Sequence, residues 1–311
     1  MLAQDGWDVV AISRSGSLPD GLAELGVVAA QADRADDEQL RAAIGTGADV
    51  VIDVVARDRA HGEQLNALDA GSLVVISTAS VYADDRGLAF DGEEHDHPRM
   101  PIPILEGQRT AEPGEETYST NKAALEQTVL GGPVPATVLR PCAIHGPGAQ
   151  LPRELYFVKR AVDGRRRVAL AWRGESLFHT TSVANLAELI RRAAAAPATR
   201  ILNAGDPEPP TTLEICRAVG DALGHEFEPV LLPGDEFGNP WGVDADKPLV
   251  VSMEAAEREL GYRPVTTYPE AVKQTCAWVV SELERGRSWA GTHLEEALDY
   301  AAEDAAIASA T

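Results

Sequence analysis

The sequence predicts an α/β fold: a doubly wound parallel sheet followed by a smaller mixed part. Two observations predict it. In the first half of the 311 residues, short apolar runs alternate with helix-like stretches. Strands separated by helices of that length imply right-handed crossovers and a parallel sheet covered on both faces. From Gln150 onward the pattern changes and helices dominate.

Leu2 to Asp5 reads as the last turn of a helix, with Gly6 placed to end it in a left-handed conformation. "WDVVAIS" then reads as a buried strand and "LPDGLAELG" as a short helix. "VVAAQAD" is the second strand, and "DDEQLRAAIG" a helix capped by Asp36 or Asp37. "ADVVIDVVA" is the third strand, "RAHGEQLNALDAG" a helix closed by Gly71, and "SLVVISTASVY" the fourth strand. Residues 83–116, rich in Pro, Asp and Glu, are too long for an ordinary connector and suit an active-site border or a lid. A helix over 117–130 and the strand "ATVLRP" follow. Beyond them come helices near 153–163 and 183–196, the strand "RILNAG", and helices in "TTLEICRAVGDALG", "SMEAAERELGYRP" and "YPEAVKQTCAWVVSELERG". The acidic, Ala-rich end reads as a helix and a frayed tail. The expected organisation is a dinucleotide-binding part over 1–150 to which 176–206 return. Residues 151–175 and 207–290 would bind substrate, and 291–311 form the tail.

The composition narrows the function. A net charge of −22 disfavours nucleic acid and acidic lipid as partners. No run reaches the roughly 18 apolar residues of a membrane helix, and no secretory signal is visible. A cytoplasmic protein is expected. Cys142, Cys216 and Cys276 lack disulfide or zinc spacing and read as buried small hydrophobes. The histidines do not cluster as metal ligands would.

The most informative stretch is "ETYSTNKAALEQ". Tyr118 and Lys122 are four apart, on one face of a helix. A phenol titrates near pH ~10, and an adjacent ammonium favours its phenolate and brings it toward neutral pH. An ordinary exposed aromatic–lysine pair has the same spacing. Ser77, Thr78 and Ser80 follow a very apolar strand, at the end where open parallel sheets bind ligands. Hydroxyls there either meet a substrate oxygen or satisfy strand-end backbone.

"STASVY", then Tyr118 and Lys122, then "LRPCAIHGPG" resemble the extended short-chain dehydrogenase/reductase family, the NAD-dependent epimerases and dehydratases of Rossmann type. "SVANLAEL", "ILNAGDPEP" and "ELGYRPVTTYPEAVKQTCAW" extend the likeness over nearly the whole chain. The resemblance implies that Tyr118 is the acid–base residue, that Lys122 lowers its pKa and holds the nicotinamide ribose, and that Thr78 is the catalytic hydroxyl. It implies that Pro141 to Ile144, Ala143 included, supply backbone against the nicotinamide carboxamide, and that Ala56 touches the cofactor. It further implies hydride transfer at a hydroxyl or carbonyl carbon of a small, sugar-like substrate, and a homodimer.

One part of the family pattern has no counterpart. The first strand and its glycine-rich phosphate loop are missing, and no displaced copy occurs; "GPGAQ" and Gly131-Gly132 have the wrong context. Without that strand, two apolar strand edges stand unpaired in the sheet. The expectation is a start at an internal methionine, with about 25–30 further residues upstream. A real, weakly active fragment is the rival.

"ISRSG", with Arg14 and no acid after the first visible strand, favours NADP over NAD, the lesser alternative being an arginine in a solvated turn. Asp33 matches the family position that meets the adenine, or else caps a strand end. Arg165, Arg166, Arg167 and Arg173 offer a diphosphate contact, although a solvated basic run fits them better. His145 replaces a customary tyrosine, and His179 reads as structural. Besides an oxidoreductase or epimerase, a non-catalytic dinucleotide sensor and an RNA-associated relative of the fold stand as alternatives, the last opposed by the net charge.

Overall fold

The structure, a computed structural model, describes residues 1–91, 97–235 and 237–310. Residues 92–96 of the acidic connector and Thr311 of the tail lie outside the described residues. The chain forms two compact units. One comprises Met1–Ser77, Glu112–Leu139 and Ala187–Leu202, the other Thr78–Ala111, Arg140–Leu186 and Asn203–Thr311.

The first unit is a parallel α/β assembly. A turn of 3-10 helix, Ala3–Asp5, ends at Gly6 with φ 90°, as the opening residues predict. Strand β1 (Val10–Ser13) pairs in parallel with β2 (Val28–Gln31), Val10 opposite Val28. Helix α1 (Asp37–Ile44) starts at Asp36, whose carboxylate accepts the N–H groups of Glu38 and Gln39. Strand β3 (Ala48–Asp53), helix α2 (Arg59–Asn66) and strand β4 (Ala70–Ile76) follow. Helix α3 (Tyr118–Leu130) is set by a capping box in which Thr117 and Thr120 satisfy each other's backbone N–H. Strand β5 (Ala136–Pro141) succeeds it. Four strands stand in the order β3, β4, β5 and β9 (Arg200–Ala204), with β3–β4 and β4–β5 parallel. Leu65, Leu73, Val75, Leu125, Val129 and Val138 form the core between helices and sheet. Gly62 lets α2 approach α3, since a Cβ there would meet the Thr128 side chain at 2.9 Å.

Two expectations change here. The helix ends at Asn66, and Gly71 lies within β4 instead of closing it, because Ala70 and Gly71 are taken into the pairing with β3. The first strand is not buried: Val10 is 51% and Ile12 37% exposed. The pair β1–β2 is a separate two-stranded sheet, not joined to the four-stranded one.

The second unit packs helices around two short parallel pairs, β6 (Ala143–His145) with β8 (Thr180–Ser182) and β7 (Arg167–Leu170) with β10 (Glu228–Leu231). Helices α4 (Leu155–Val162), α6 (Thr212–Leu223) and α8 (Tyr268–Glu284) share one core, with Phe157, Val158, Ile215, Val219, Val272 and Val279 buried together. Helix α5 (Val183–Ala195) runs from this unit into the first. Helices α7 (Glu254–Leu260), α9 (His293–Glu296) and α10 (Tyr300–Ser309) complete it.

The C-terminal stretch is not a frayed tail as far as residue 310. Glu303 of α10 is fully buried and accepts from Arg160 Nε at 3.0 and 3.1 Å. It also accepts from the Ala169 N–H at 3.0 Å. The Arg160 guanidinium stacks on Tyr156 at 3.7 Å and donates to the carbonyl oxygens of Tyr156 and Ala297. The basic run is likewise not simply solvated: Arg167 begins β7, Arg165 pairs with Asp304 and Glu303, and Arg166 with Glu226 and Glu228.

Candidate active site

Tyr118 is the first residue of α3 and half exposed, while Lys122, one turn on, is buried. The Lys122 ammonium donates to the carbonyl oxygens of Ala56 at 2.6 Å and Ile76 at 2.9 Å, and lies 5.8 Å from the Tyr118 ring centroid. A lysine carries three N–H donors, so one has no protein acceptor among the described residues. Burial lowers the Lys122 pKa to about 8, against the opposing pull of Asp53 and Glu126. Burial thus brings the amine closer to neutral pH than an exposed lysine.

Ala56 is fully buried and serves through its carbonyl. Arg14 and Asp33 both line a cavity of about 510 Å³ in the first unit, with Ile12, Ala32, Arg34 and Asp53. Asp33 also accepts the Ala35 N–H at 3.0 Å. Arg34 pairs with Asp53 at 2.5 Å. Ser77 Oγ is buried with no hydrogen-bond partner among the described residues.

Thr78, in the second unit, is buried and accepts the Ser80 N–H at 3.1 Å, capping the short turn Ala79–Val81. That bond uses a lone pair and leaves its O–H to donate. In the Pro141–Ile144 stretch, Pro141 has no N–H. Cys142 donates to Ala204 O at 3.2 Å and Ala143 to His179 O at 3.1 Å. Ile144 is in register with Thr181. These backbone donors are therefore largely committed within the unit.

The two histidines are structural. His179 Nε2 donates to Asp206 O at 2.7 Å, and its Nδ1 accepts the Val251 N–H at 3.2 Å. His145 Nε2 donates to Asp206 Oδ2 at 3.0 Å, and its Nδ1 meets the Thr275 hydroxyl at 3.2 Å. Asp206 also accepts from Thr180, the Ser182 N–H and Asn185. Burial raises its pKa, but these bonds outweigh that and hold it well below the ordinary carboxylate range. Cys142, Cys216 and Cys276 are free, and burial pushes each thiol up, to about 12 for the last two. They are poor nucleophiles. No cluster of metal-ligating side chains occurs among the described residues.

One residue escaped the sequence reading. The Arg153 guanidinium is half-buried over the Phe178 ring at 5.6 Å and pairs with no carboxylate among the described residues. Phe178 in turn packs with Ala79 and Cys142, neighbours of Thr78 and Pro141. An arginine in a helix-rich stretch carries no signal of that position.

The comparisons add fold-level evidence. No protein-family model matches the chain, and no curated protein matches its sequence. Solved structures do match. A UDP-glucose 4-epimerase with UDP-glucose from Thermotoga maritima is 15% identical, with 91% of this chain and 94% of that one covered at a TM-score of 0.65. A dTDP-glucose 4,6-dehydratase from Bacillus anthracis in complex with NAD is 18% identical over 91% and 92%, also at 0.65. A UDP-glucuronic acid 4-epimerase from Bacillus cereus, in complex with UDP-4-deoxy-4-fluoro-glucuronic acid and NAD, is 14% identical over 90% and 93% at 0.63. The chain has the fold of these enzymes. The expected Rossmann-type α/β architecture is therefore the observed one.

The residues present fit a nicotinamide dinucleotide in part. The 510 Å³ cavity with Arg14 and Asp33 suits an adenosine end, and the spare donor of Lys122 suits a ribose hydroxyl. Helix α1 opens with Asp36, Asp37 and Glu38, carboxylates that repel phosphate, so its N-terminus does not suit the diphosphate.

Proposed function

We propose that this chain is an oxidoreductase or epimerase of the extended short-chain type, acting at a hydroxyl or carbonyl carbon of a sugar-like, anionic substrate. The observation that carries the reading is Lys122: a buried ammonium fixed by two carbonyl oxygens, one turn from a half-exposed tyrosine. A nicotinamide dinucleotide, when bound, supplies the hydride chemistry. The chain's own residues handle protons and position. Tyr118 would give or take the proton at the substrate oxygen, and the Lys122 charge would favour its phenolate.

Arg153 supports the anionic substrate, because a guanidinium without a carboxylate partner is suited to phosphate or carboxylate oxygens. The solved neighbours with UDP-glucose and a UDP-glucuronic acid analogue point the same way. Arg14 beside the adenosine-sized cavity favours NADP, while the neighbours' complexes with NAD favour NAD. A homodimer and a cytoplasmic site of action belong to the same reading. No helix among the described residues is long and apolar enough to cross a membrane.

The test is turnover on a panel of nucleotide sugars with either dinucleotide, wild type against Tyr118→Phe. Loss of turnover in the variant with retained substrate binding supports the assignment, and equal turnover ends it. A second reading is dinucleotide binding without turnover, which saturable binding with no product would favour.

A further inference from the structure

Strand β3 ends on a buried acid. Of the two carboxylates in "ADVVIDVVA", Asp49 is exposed and Asp53 is buried. A charge taken out of water is costly unless hydrogen bonds and a counter-charge offset the loss. Asp53 has both. Its Oδ1 accepts the N–H groups of Val55 at 2.8 Å and Ala56 at 2.7 Å, and its Oδ2 accepts from Arg34 Nη1 at 2.5 Å.

Arg34 is held in turn. Its Nη2 donates to Gln64 Oε1 at 3.0 Å, while Gln64 Nε2 donates to Arg34 O at 2.7 Å and to Asp37 Oδ1 at 2.6 Å. Residues of α1 and α2 thus brace the guanidinium against the end of β3.

These bonds reach Lys122 through Ala56. The Ala56 N–H is tied to Asp53, and the Ala56 carbonyl oxygen accepts from Lys122 Nζ at 2.6 Å, so one fully buried residue is gripped on both sides. An aspartate that bonds the backbone two and three residues on sets the course of the turn, and with it the direction of the carbonyls that follow. Asp53 also acts through its charge. Burial is the largest influence on the ammonium. Among the charges around it, Asp53 and then Glu126 favour its protonated form, whereas Arg57 and Arg34 oppose it. Tyr118 adds its ring, 5.8 Å away on the same helix. His61 of α2 feels the same Arg34–Asp53 pair, its pKa lowered chiefly by burial.

We infer that Asp53 is a positioning residue for Lys122, fixing the Ala56 carbonyl that holds the ammonium and neutralising Arg34 beside it. The inference rests on the proposed function for the use made of Lys122, and on these bonds for the coupling itself.

The test is the titration of Lys122 followed by nuclear magnetic resonance on protein labelled in its lysine side chains. Only four lysines occur, and Lys122→Met assigns the signal. Asp53→Asn keeps an oxygen to accept the two N–H groups and removes the charge. Lys122 should then titrate about 1 pH unit lower than in the wild type. Arg34→Met removes an opposing cation and should move the same titration upward. Opposite shifts in folded variants, checked by thermal melting, support the inference. An unmoved Lys122 in folded Asp53→Asn overturns it, and so do shifts of one sign in both variants, which a merely structural role would give. Should Asp53→Asn fail to fold, Arg34→Met decides: an upward shift supports the coupling and no shift ends it. The titration needs neither dinucleotide nor substrate. A protein without turnover whose Lys122 moves as expected would refute the proposed function and keep the coupling, and an active enzyme with an unmoved Lys122 would do the reverse.

Discussion

Lys122 Nζ donates to the Ala56 carbonyl oxygen across 2.6 Å, tying α3 to the loop that follows β3. With Ile76 O as second acceptor, the ammonium is anchored by β4 as well, so two strand ends and a helix fix one charge. The charge is thereby held at a fixed distance from the neighbouring phenol, and its effect on that phenol falls with distance and with solvent access.

Tyr118→Phe should leave stability unchanged to within about 0.5 kcal/mol, since the ring is half exposed. Turnover should fall about 10²–10⁴-fold, the usual worth of a general acid–base group. Thermal melting and single-turnover rates measured on the same preparation check both.

Lys122→Met should change how stability depends on pH. The folded pKa of about 8 lies below the ordinary 10.5, so the unfolded chain holds more protons between those values. Wild-type stability should therefore gain from this group as pH rises from about 8 to 10.5, and the variant should lack that gain. Urea titrations across that window read the difference.

Asp206→Asn should flatten the acid limb of the stability profile. The folded carboxyl titrates below its ordinary 3.8, so it stabilises the fold above that value, and the contribution is lost as pH falls beneath it. At neutral pH the variant should be less stable by a few kcal/mol, on the scale of breaking a buried hydrogen-bonded charge. Chemical melts at pH 7 and pH 3 separate the two effects.

Glu303→Gln should cost about 3–5 kcal/mol, because it strands Arg160 in a fully buried place. The pair replacement Arg160→Met with Glu303→Leu should recover much of that loss. A double-mutant cycle by denaturant unfolding measures both.

Arg153→Met should raise KM for anionic substrates at least tenfold while leaving kcat nearly intact, because it removes a cation that binds and does not react. Equal loss in kcat would contradict a binding role.

The regular elements were legible because alternation and capping are local. Asp36 before α1, Thr117 before α3 and the run "ATVLRP" announce themselves within a few residues. Tyr118 and Lys122 were legible for the same reason, being one turn apart on a single helix. What stayed hidden was long-range. Glu303 meets Arg160 across 143 positions, and Asp206 gathers His145, Thr180 and Asn185 from 61, 26 and 21 positions away. An acidic, Ala-rich ending looks solvated until its partner is known. The short pair β7–β10 was missed because Arg165 to Arg167 masked the three apolar residues of β7 that follow them.

The seat of Glu303 reaches into handling and heredity. A ribosome halting before the last ten-residue helix would leave Arg160 as a lone cation in oil, so a late nonsense codon should yield an aggregate instead of a trimmed protein. Purification tags should spare α10, since its Glu303 and Ile307 belong to the interior.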